Sequence, residues 1–286
     1  MEQWRGAPVV QKMKETFEAQ VAELAARGVT PTLAVLRVGA REDDLAYERG
    51  ISKRFASVGA AVTVTELPET VTQEELEAAL ESLNRDPAVH GILVFRPLPK
   101  HLSEERLSER IAPEKDVDCL GRINTAYVFA GDGRAYPPCT PQAVMEMLDF
   151  YGVDLTGKKA VVIGRSMVVG KPLAMLLLKK HATVTICHTR TQNLAEECRR
   201  ADVLIACAGA KRMVGAEFVR SGQVVLDVGI HADGDSLCGD VDAAAVSDVV
   251  AALTPVPGGV GTVTTSVLLK HTLLSAMRAC GVSPRT

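Results

Sequence analysis

With 286 residues, 47% of them hydrophobic and 23% charged, and a formal net charge of -3, the chain has the composition of a soluble globular protein and the length of two ordinary domains. That charge gives no broad reason to expect nucleic acid. No apolar run approaches the roughly 20 residues of a membrane span, and Met1-Glu2-Gln3-Trp4-Arg5 lacks the apolar core of a signal peptide, so a cytoplasmic protein with a small-molecule partner is expected. Seven cysteines with no C-x-x-C pair argue against a disulfide framework, and six scattered histidines lack metal-ligand spacing, so no metal is expected.

In chain order, Val10, Met13, Phe17, Val21 and Leu24 recur at helical spacing, and Gly28 closes that helix. Thr32 to Val38 reads as a strand, followed by Gly39 and a helix from about Asp44 to Val58. Ala61 to Thr65 alternates like a strand, and Thr72 with Glu75 forms a capping box for the next helix. Gly91 to Phe95 is a short buried strand stopped by Arg96-Pro97-Leu98-Pro99. A helix near Ser103 to Ile111 precedes the charged turn Pro113 to Asp118, whose plain reading is a solvated loop. Thr140 is expected to cap a helix with Pro141 as its first residue, ending near Gly152, and Pro137 to Pro141 to mark the domain boundary.

Beyond it, Ala160 to Ile163 reads as a buried strand, Gly164 and Gly170 permit a tight turn, and Pro172 suits an early helical position. Unpaired N–H groups and the dipole at that helix start favour an anion, a dinucleotide pyrophosphate for instance, although an ordinary strand-to-helix turn fits as well. The glycines depart from G-x-G-x-x-G, with Ser166 in the second glycine position and the last glycine one residue late. Strands follow at Thr183 to Cys187, Val203 to Cys207, Val224 to Val228 and near Val249 to Leu253, with helices at Pro172 to Lys180 and near Asn193 to Arg200. This alternation specifies an α/β fold whose second domain is a Rossmann-like parallel sheet, with ligands at the strands' carboxyl ends. Pro255-Val256-Pro257-Gly258-Gly259-Val260-Gly261 then suits a loop pressed against a ligand, or a plain loop, before a last helix of about Val263 to Cys280.

Lys115-Asp116-Val117-Asp118, Cys139-Thr140-Pro141, Gly164-Arg165-Ser166 with Val169-Gly170 and Pro172, Asp227-Val228-Gly229-Ile230, Gly239-Asp240-Val241-Asp242 and Thr254 to Gly261 together resemble the methylenetetrahydrofolate dehydrogenase/methenyltetrahydrofolate cyclohydrolase family, of FolD type, over essentially the whole chain. The resemblance implies a folate-binding catalytic domain over 1–140 plus 264–286, an NAD(P)-binding domain over 141–263, a cleft between them, tetrahydrofolate one-carbon derivatives as substrates, and a homodimer. It assigns Tyr47 and Asp118 to catalysis and pterin binding, Pro257, Gly258 and Gly259 to substrate, and Gly164, Arg165, Ser166, Gly170, Thr189, Arg190 and Ile230 to the cofactor.

Two departures bear on the chemistry, and a third lies beside Asp118. The family motif Tyr-x-x-x-Lys-x-Lys, whose first lysine is catalytic, here reads Tyr47-Glu48-Arg49-Gly50-Ile51-Ser52-Lys53, so Ile51 stands in the lysine position. Lys53 lies about 200° further round the helix, away from that face. The family's Gln-Leu-Pro-Leu-Pro is here Phe95-Arg96-Pro97-Leu98-Pro99, which replaces the supporting glutamine by Phe95, and Cys119 follows Asp118 in place of a glycine. Hydride transfer needs mainly alignment, whereas hydrolysis of the methenyl cation needs a proton-transfer group that isoleucine lacks. The expectation is therefore a dehydrogenase with cyclohydrolase activity lost or weak; the alternative is a catalytically silent homologue that binds folate or nucleotide as a regulatory or structural partner. His188-Thr189-Arg190 after the strand ending at Cys187 offers no carboxylate to the ribose, and Arg165 and Arg190 suit a 2′-phosphate, which favours NADP with NAD possible.

Overall fold

The structure is a computed structural model that describes residues 1–234 and 236–282; positions 283–286, at the end of the expected folate domain, lie outside the described residues. The elements run β1 Glu2–Gln3, α1 Gly6–Ala25, β2 Thr32–Val38, α2 Glu42–Ala56, β3 Ala61–Leu67, α3 Gln73–Arg85, β4 Gly91–Val94, α4 Glu104–Ser108 and α5 Arg122–Ala130. They continue α6 Cys139–Phe150, β5 Lys159–Ile163, α7 Gly170–Lys179, β6 Thr183–Cys187, α8 Leu194–Arg199, β7 Val203–Ala206 and β8 Val224–Asp227. The chain ends with β9 His231–Asp233, β10 Ser236–Cys238, α9 Ala243–Val246, β11 Ala252–Leu253 and α10 Val260–Ala279. Among the described residues no helix is long and apolar enough to cross a membrane.

The chain divides into two compact units, Met1–Gln11 with Thr140–Thr264, and Lys12–Cys139 with the chain from Thr265. The expected division kept the N-terminus with the folate domain. Residues 1–11 go to the other unit because β1 adds to its sheet, with Glu2 beside Ala252 and Gln3 beside Leu253. Trp4 reinforces this by stacking on Tyr151 at 4.5 Å between ring centroids. Two residues carry no periodicity, so a strand this short leaves no pattern in the sequence.

The unit containing β2 holds a three-stranded parallel sheet in the order β3-β2-β4. From Leu33 to Val38 every residue of β2 is buried, as a central strand covered on both faces requires. Ala34, Leu36, Ile92, Val94, Leu76 and Leu80 build one face's core, with α3 started by the expected Thr72–Glu75 capping box. From Thr265, α10 is buried nearly all round, and three of its polar groups find carbonyls: Thr272 Oγ1 donates to Leu268, Ser275 Oγ to Glu114 and His271 Nδ1 to Val117.

The other unit holds a six-stranded parallel sheet in the order β1-β11-β8-β7-β5-β6, with α7 packed on β5 and β6. Val161, Ile163, Leu204, Val225 and Leu253 form its core with Val241, Val246 and Val250. The expected turn from strand to helix lies at the carboxyl end of β5, next to the central strands, where open parallel sheets bind ligands.

Three local expectations change. The helix expected to start at Pro141 begins at Cys139, whose N–H is accepted by Asp118 rather than by a Thr140 cap. α5 lies in a stretch for which the sequence predicted no element, and the antiparallel hairpin of β9 and β10 follows β8 where no strands were expected.

Candidate functional site

In the unit containing β2, α2 carries Tyr47 and Ile51 one turn apart. Tyr47 is 40% exposed and Ile51 is fully buried, while Lys53 points outward. The exposure pattern follows from the helix: i and i+4 share a face, and i+6 lies well round from it. Phe95 follows the carboxyl end of β4, donates its N–H to Leu36, and places its ring 5.7 Å from that of Tyr47 at a tilt of 35°. Tyr47, Ile51 and Phe95 thus give a tyrosine with an apolar surround.

Asp118 sits on the loop after β4 and α4. One carboxylate oxygen accepts the N–H of Cys139 at 2.9 Å, and the other lies 3.8 Å from the Arg96 guanidinium. Both side chains of that ion pair are about a quarter exposed, so the pairing contributes modestly to stability. Asp116 fixes the loop from beneath. It is buried and accepts the N–H groups of Leu120 and Gly121 and the Asn124 amide, at 2.7, 2.9 and 3.0 Å. Burial pushes the Asp116 carboxyl up from the usual range, and these donors oppose that shift. The charged stretch read as a solvated loop is therefore anchored on a buried acid. Asp116, Asn124 and Arg96 were not singled out by the sequence; an aspartate five residues before a tight glycine was the available signal for the first.

In the other unit the β5–α7 turn is built by backbone contact. Gly164 has φ +136°, and a side-chain carbon there would overlap the Cys207 carbonyl; one at Gly170 would overlap the Gly164 carbonyl. The turn packs closely on β7, with the Gly164 N–H donated to Cys187 and the Cys207 N–H to Ile163. Arg165 and Ser166 are exposed on it, Thr189 and Arg190 are exposed just beyond β6, and Ile230, 60% exposed, lies just beyond β8. All five follow the carboxyl ends of strands of one sheet. A close backbone turn opening a ten-residue helix fits a pyrophosphate, and two exposed arginines fit a further phosphate, so the donor set is compatible with a dinucleotide.

Asp227 ends β8 and is also buried, accepting N–H groups from Gly229, Asp240 and Val241. Asp240, fully buried, accepts those of Ala208, Gly209 and Ala210, and His231 Nε2 donates to it at 2.7 Å. This network holds the loops after β7 and β8, the second of which carries Ile230. The loop with Pro257, Gly258 and Gly259 is in the same unit. Its glycines meet backbone: Gly258 accepts the Gly6 N–H at 2.9 Å, and a side-chain carbon at Gly6 would come within 2.5 Å of the Gly259 carbonyl. A packing requirement of the chain itself thus accounts for part of a glycine run read as pressed against a ligand. Tyr47 and Asp118 belong to one unit and Pro257 to Gly259 to the other.

Residues 138–280 match the family described as tetrahydrofolate dehydrogenase/cyclohydrolase, NAD(P)-binding domain, and residues 4–118 match its catalytic domain. The chain is 55% identical to the bifunctional protein FolD of Clostridioides difficile over 277 residues, covering 96% of this chain and 95% of that protein. Among solved structures it is similar to the bifunctional enzyme FolD of Campylobacter jejuni, at 39% identity and a TM-score of 0.95, covering 97% of this chain and 99% of the other. It is also similar to the Trypanosoma brucei FolD complexed with NADP cofactor and inhibitor, at 37% identity and a TM-score of 0.91, covering 97% and 98%. On these matches, which take in both of its compact units, the chain belongs to the tetrahydrofolate dehydrogenase/cyclohydrolase family.

Proposed function

We propose that this protein is an NADP-dependent 5,10-methylenetetrahydrofolate dehydrogenase in which methenyltetrahydrofolate cyclohydrolase activity is lost or weak. The observation that carries the reading is the pair Ile51 and Phe95: a fully buried aliphatic side chain on the Tyr47 face of α2, and an aromatic ring packed against Tyr47. By resemblance these are the positions of the catalytic lysine and its glutamine partner. Tyr47 positions the pterin, and Asp118, held by Cys139, accepts hydrogen bonds from the pterin's amino and amide edge. The β5–α7 turn with Gly164, Arg165, Ser166 and Gly170 holds the dinucleotide, Thr189 and Arg190 its 2′-phosphate, Ile230 its apolar part, and Pro257 to Gly259 the substrate. NADP supplies the hydride acceptor when bound.

No amine stands on that face of α2 to move a proton to or from water, and loss of one positioned acid–base group typically lowers a rate about 10² to 10⁴-fold. The test is a paired assay of the purified protein: formation of methenyltetrahydrofolate with NADP, and hydrolysis of supplied methenyltetrahydrofolate against the buffer rate. Turnover in the first with none in the second is expected. Equal proficiency in both steps refutes the loss of the second, and no turnover in the first with either cofactor refutes the dehydrogenase. A homologue without turnover is favoured by one contact, the Arg96–Asp118 ion pair, which competes with pterin for the carboxylate. Folate binding measured by calorimetry without hydride transfer identifies it. Homodimeric assembly follows from the resemblance and is checked by sedimentation.

A further inference from the structure

The unit containing β2 has a cavity of about 780 Å³ far from the residues assigned to folate. Val29, just before β2, and Val89 and His90, just before β4, line it, so it opens at the amino ends of the strands. Phe95 and Arg96 follow the opposite, carboxyl end of β4. Its volume suits a small organic molecule.

The walls combine aromatic rings with cations, of which Arg278 and Lys115 are held by backbone carbonyls and Arg134 by a carboxylate. The Arg278 guanidinium lies 4.8 Å from the Tyr136 ring centroid and donates to the carbonyls of Arg134 and Gly133, at 2.9 and 3.0 Å. Two of its five N–H groups are thereby used and the guanidinium is fixed in place. Lys115 Nζ donates to the carbonyls of Leu83 and Asp86, at 3.0 and 2.6 Å. Arg134 lies 4.4 Å from the Tyr127 centroid and pairs with Asp132. Among the described lining residues the carboxylate is Glu114 against Lys115, Arg134 and Arg278; Arg134 is matched by Asp132 and Lys115 also feels Asp86, which leaves Arg278 held by carbonyls. Carbonyl partners orient a cation and leave its charge available, which is the condition for receiving an anion without rearrangement.

We propose that this cavity is a second ligand site, distinct from the folate and cofactor sites, for a small organic anion with a flat apolar body, such as an aromatic carboxylate. Its charged group meets Arg278 and Lys115, and its ring lies on the wall of Tyr127, Val29 and Val89.

The four tyrosines make the site addressable, because Tyr127 and Tyr136 line the cavity whereas Tyr47 and Tyr151 do not. Full-length protein labelled with 3-fluorotyrosine is titrated with 2-naphthoate and, separately, with uncharged 2-naphthamide, and followed by ¹⁹F NMR. Naphthoate is expected to move the Tyr127 and Tyr136 lines alone, with naphthamide at least about tenfold weaker. Arg278→Gln is expected to weaken naphthoate about tenfold or more. Ala279→Trp, which crowds the cavity wall and keeps every charge, is expected to weaken the shifts. Movement of Tyr47 in place of the other two, equal affinity for the two probes, no shift at about millimolar naphthoate, or unchanged binding to a folded Ala279→Trp protein each overturns the proposal. The comparison of probes uses the unaltered chain and stands whether or not the variants fold.

Discussion

The backbone N–H of Asp240 donates to Asp227 Oδ1 at 2.9 Å, so one buried acid is a hydrogen-bond donor to the other while its own carboxylate serves three further N–H groups. Burial pushes the Asp227 carboxyl up to about 6, the N–H groups of Val241 and Asp240 pull it down, and the charge of Asp240 pushes it up again. The unfolded chain titrates this group near 4. Between about 4 and about 6 the folded protein therefore holds the extra proton, and the stability that this site contributes falls as pH rises through that window. The fall is on the order of 3 kcal/mol. Asp227→Asn, fixed in the neutral form, should flatten the difference between pH 4.5 and 6.5 in urea unfolding, while losing roughly 1–3 kcal/mol at each pH for the donors it leaves unpaired. An unchanged pH dependence in the variant rules out Asp227 as its source.

The same network dictates two glycines. A side-chain carbon at Gly239 would overlap the Asp227 carboxylate, and one at Gly229 would overlap that of Asp240. Gly239→Ala must therefore push a buried acid off its donors, and a loss of about 3 kcal/mol or more is expected by denaturation. Ala at Gly133, where a side-chain carbon meets nothing within 4 Å, serves as the control and should change stability by no more than about 0.5 kcal/mol.

Such close contacts explain what could be read in the sequence. Gly164, Gly170, Gly229 and Gly239 sit where backbone or carboxylate approaches too closely for any side chain, and this requirement writes a glycine into the chain. β2 was legible because its buried stretch from Leu33 to Leu36 is an unbroken apolar run, and α3 because its cap uses a fixed pair of side chains. α5 was not, since Ile123 and Phe129 are exposed and leave no apolar stripe at helical spacing. The pairing of Arg96 with Asp118 joins positions 22 residues apart, and side-chain direction at the end of a strand is not encoded locally. Asp116 looked like one charge among several and is instead the loop's buried anchor.

Cys119 tests the strain in that loop. It takes φ 58°, the left-handed region in which a side-chain carbon costs roughly 1–2 kcal/mol. Its thiol makes only a long contact, 3.8 Å, with Thr125. Cys119→Gly should stabilise the fold by roughly 0.5–1 kcal/mol, the relieved strain being partly offset by the freer unfolded chain. A lower melting temperature in the variant would show that thiol packing outweighs the strain.

Ile51 and Phe95 can be examined as a coupled pair. Ile51 is fully buried, so Ile51→Lys places an amine in apolar surroundings and should destabilise by about 2–4 kcal/mol. Phe95→Gln gives that amine a polar neighbour. If the two positions act together, the double variant is more stable than the sum of the single losses by roughly 0.5–3 kcal/mol, as a double-mutant cycle measures it. Methenyltetrahydrofolate hydrolysis should rise about 10² to 10⁴-fold in the double variant alone. A stable double variant with no such gain means that the missing step depends on more than these two side chains.

Arg190 and Arg165 separate NADP from NAD. Both are exposed, on the turns after β6 and β5, and neither forms an ion pair among the described residues. The Arg190 N–H donates to His188 Nδ1 and the His188 N–H to Thr191 Oγ1, so the turn is held by its own bonds and its guanidinium is left to solvent or a ligand. A guanidinium matches a phosphate monoester in shape and charge, and the 2′-phosphate is the one group that NAD lacks. Arg190→Ala should weaken NADP about tenfold or more and change NAD little, as measured by titration calorimetry with each cofactor. Because the contact is electrostatic and exposed, the preference should also shrink as salt is raised from 50 to 500 mM (about a 14 Å to a 4 Å screening length). Equal losses for both cofactors would place Arg190 against the pyrophosphate or the fold, and the 2′-phosphate would then fall to Arg165.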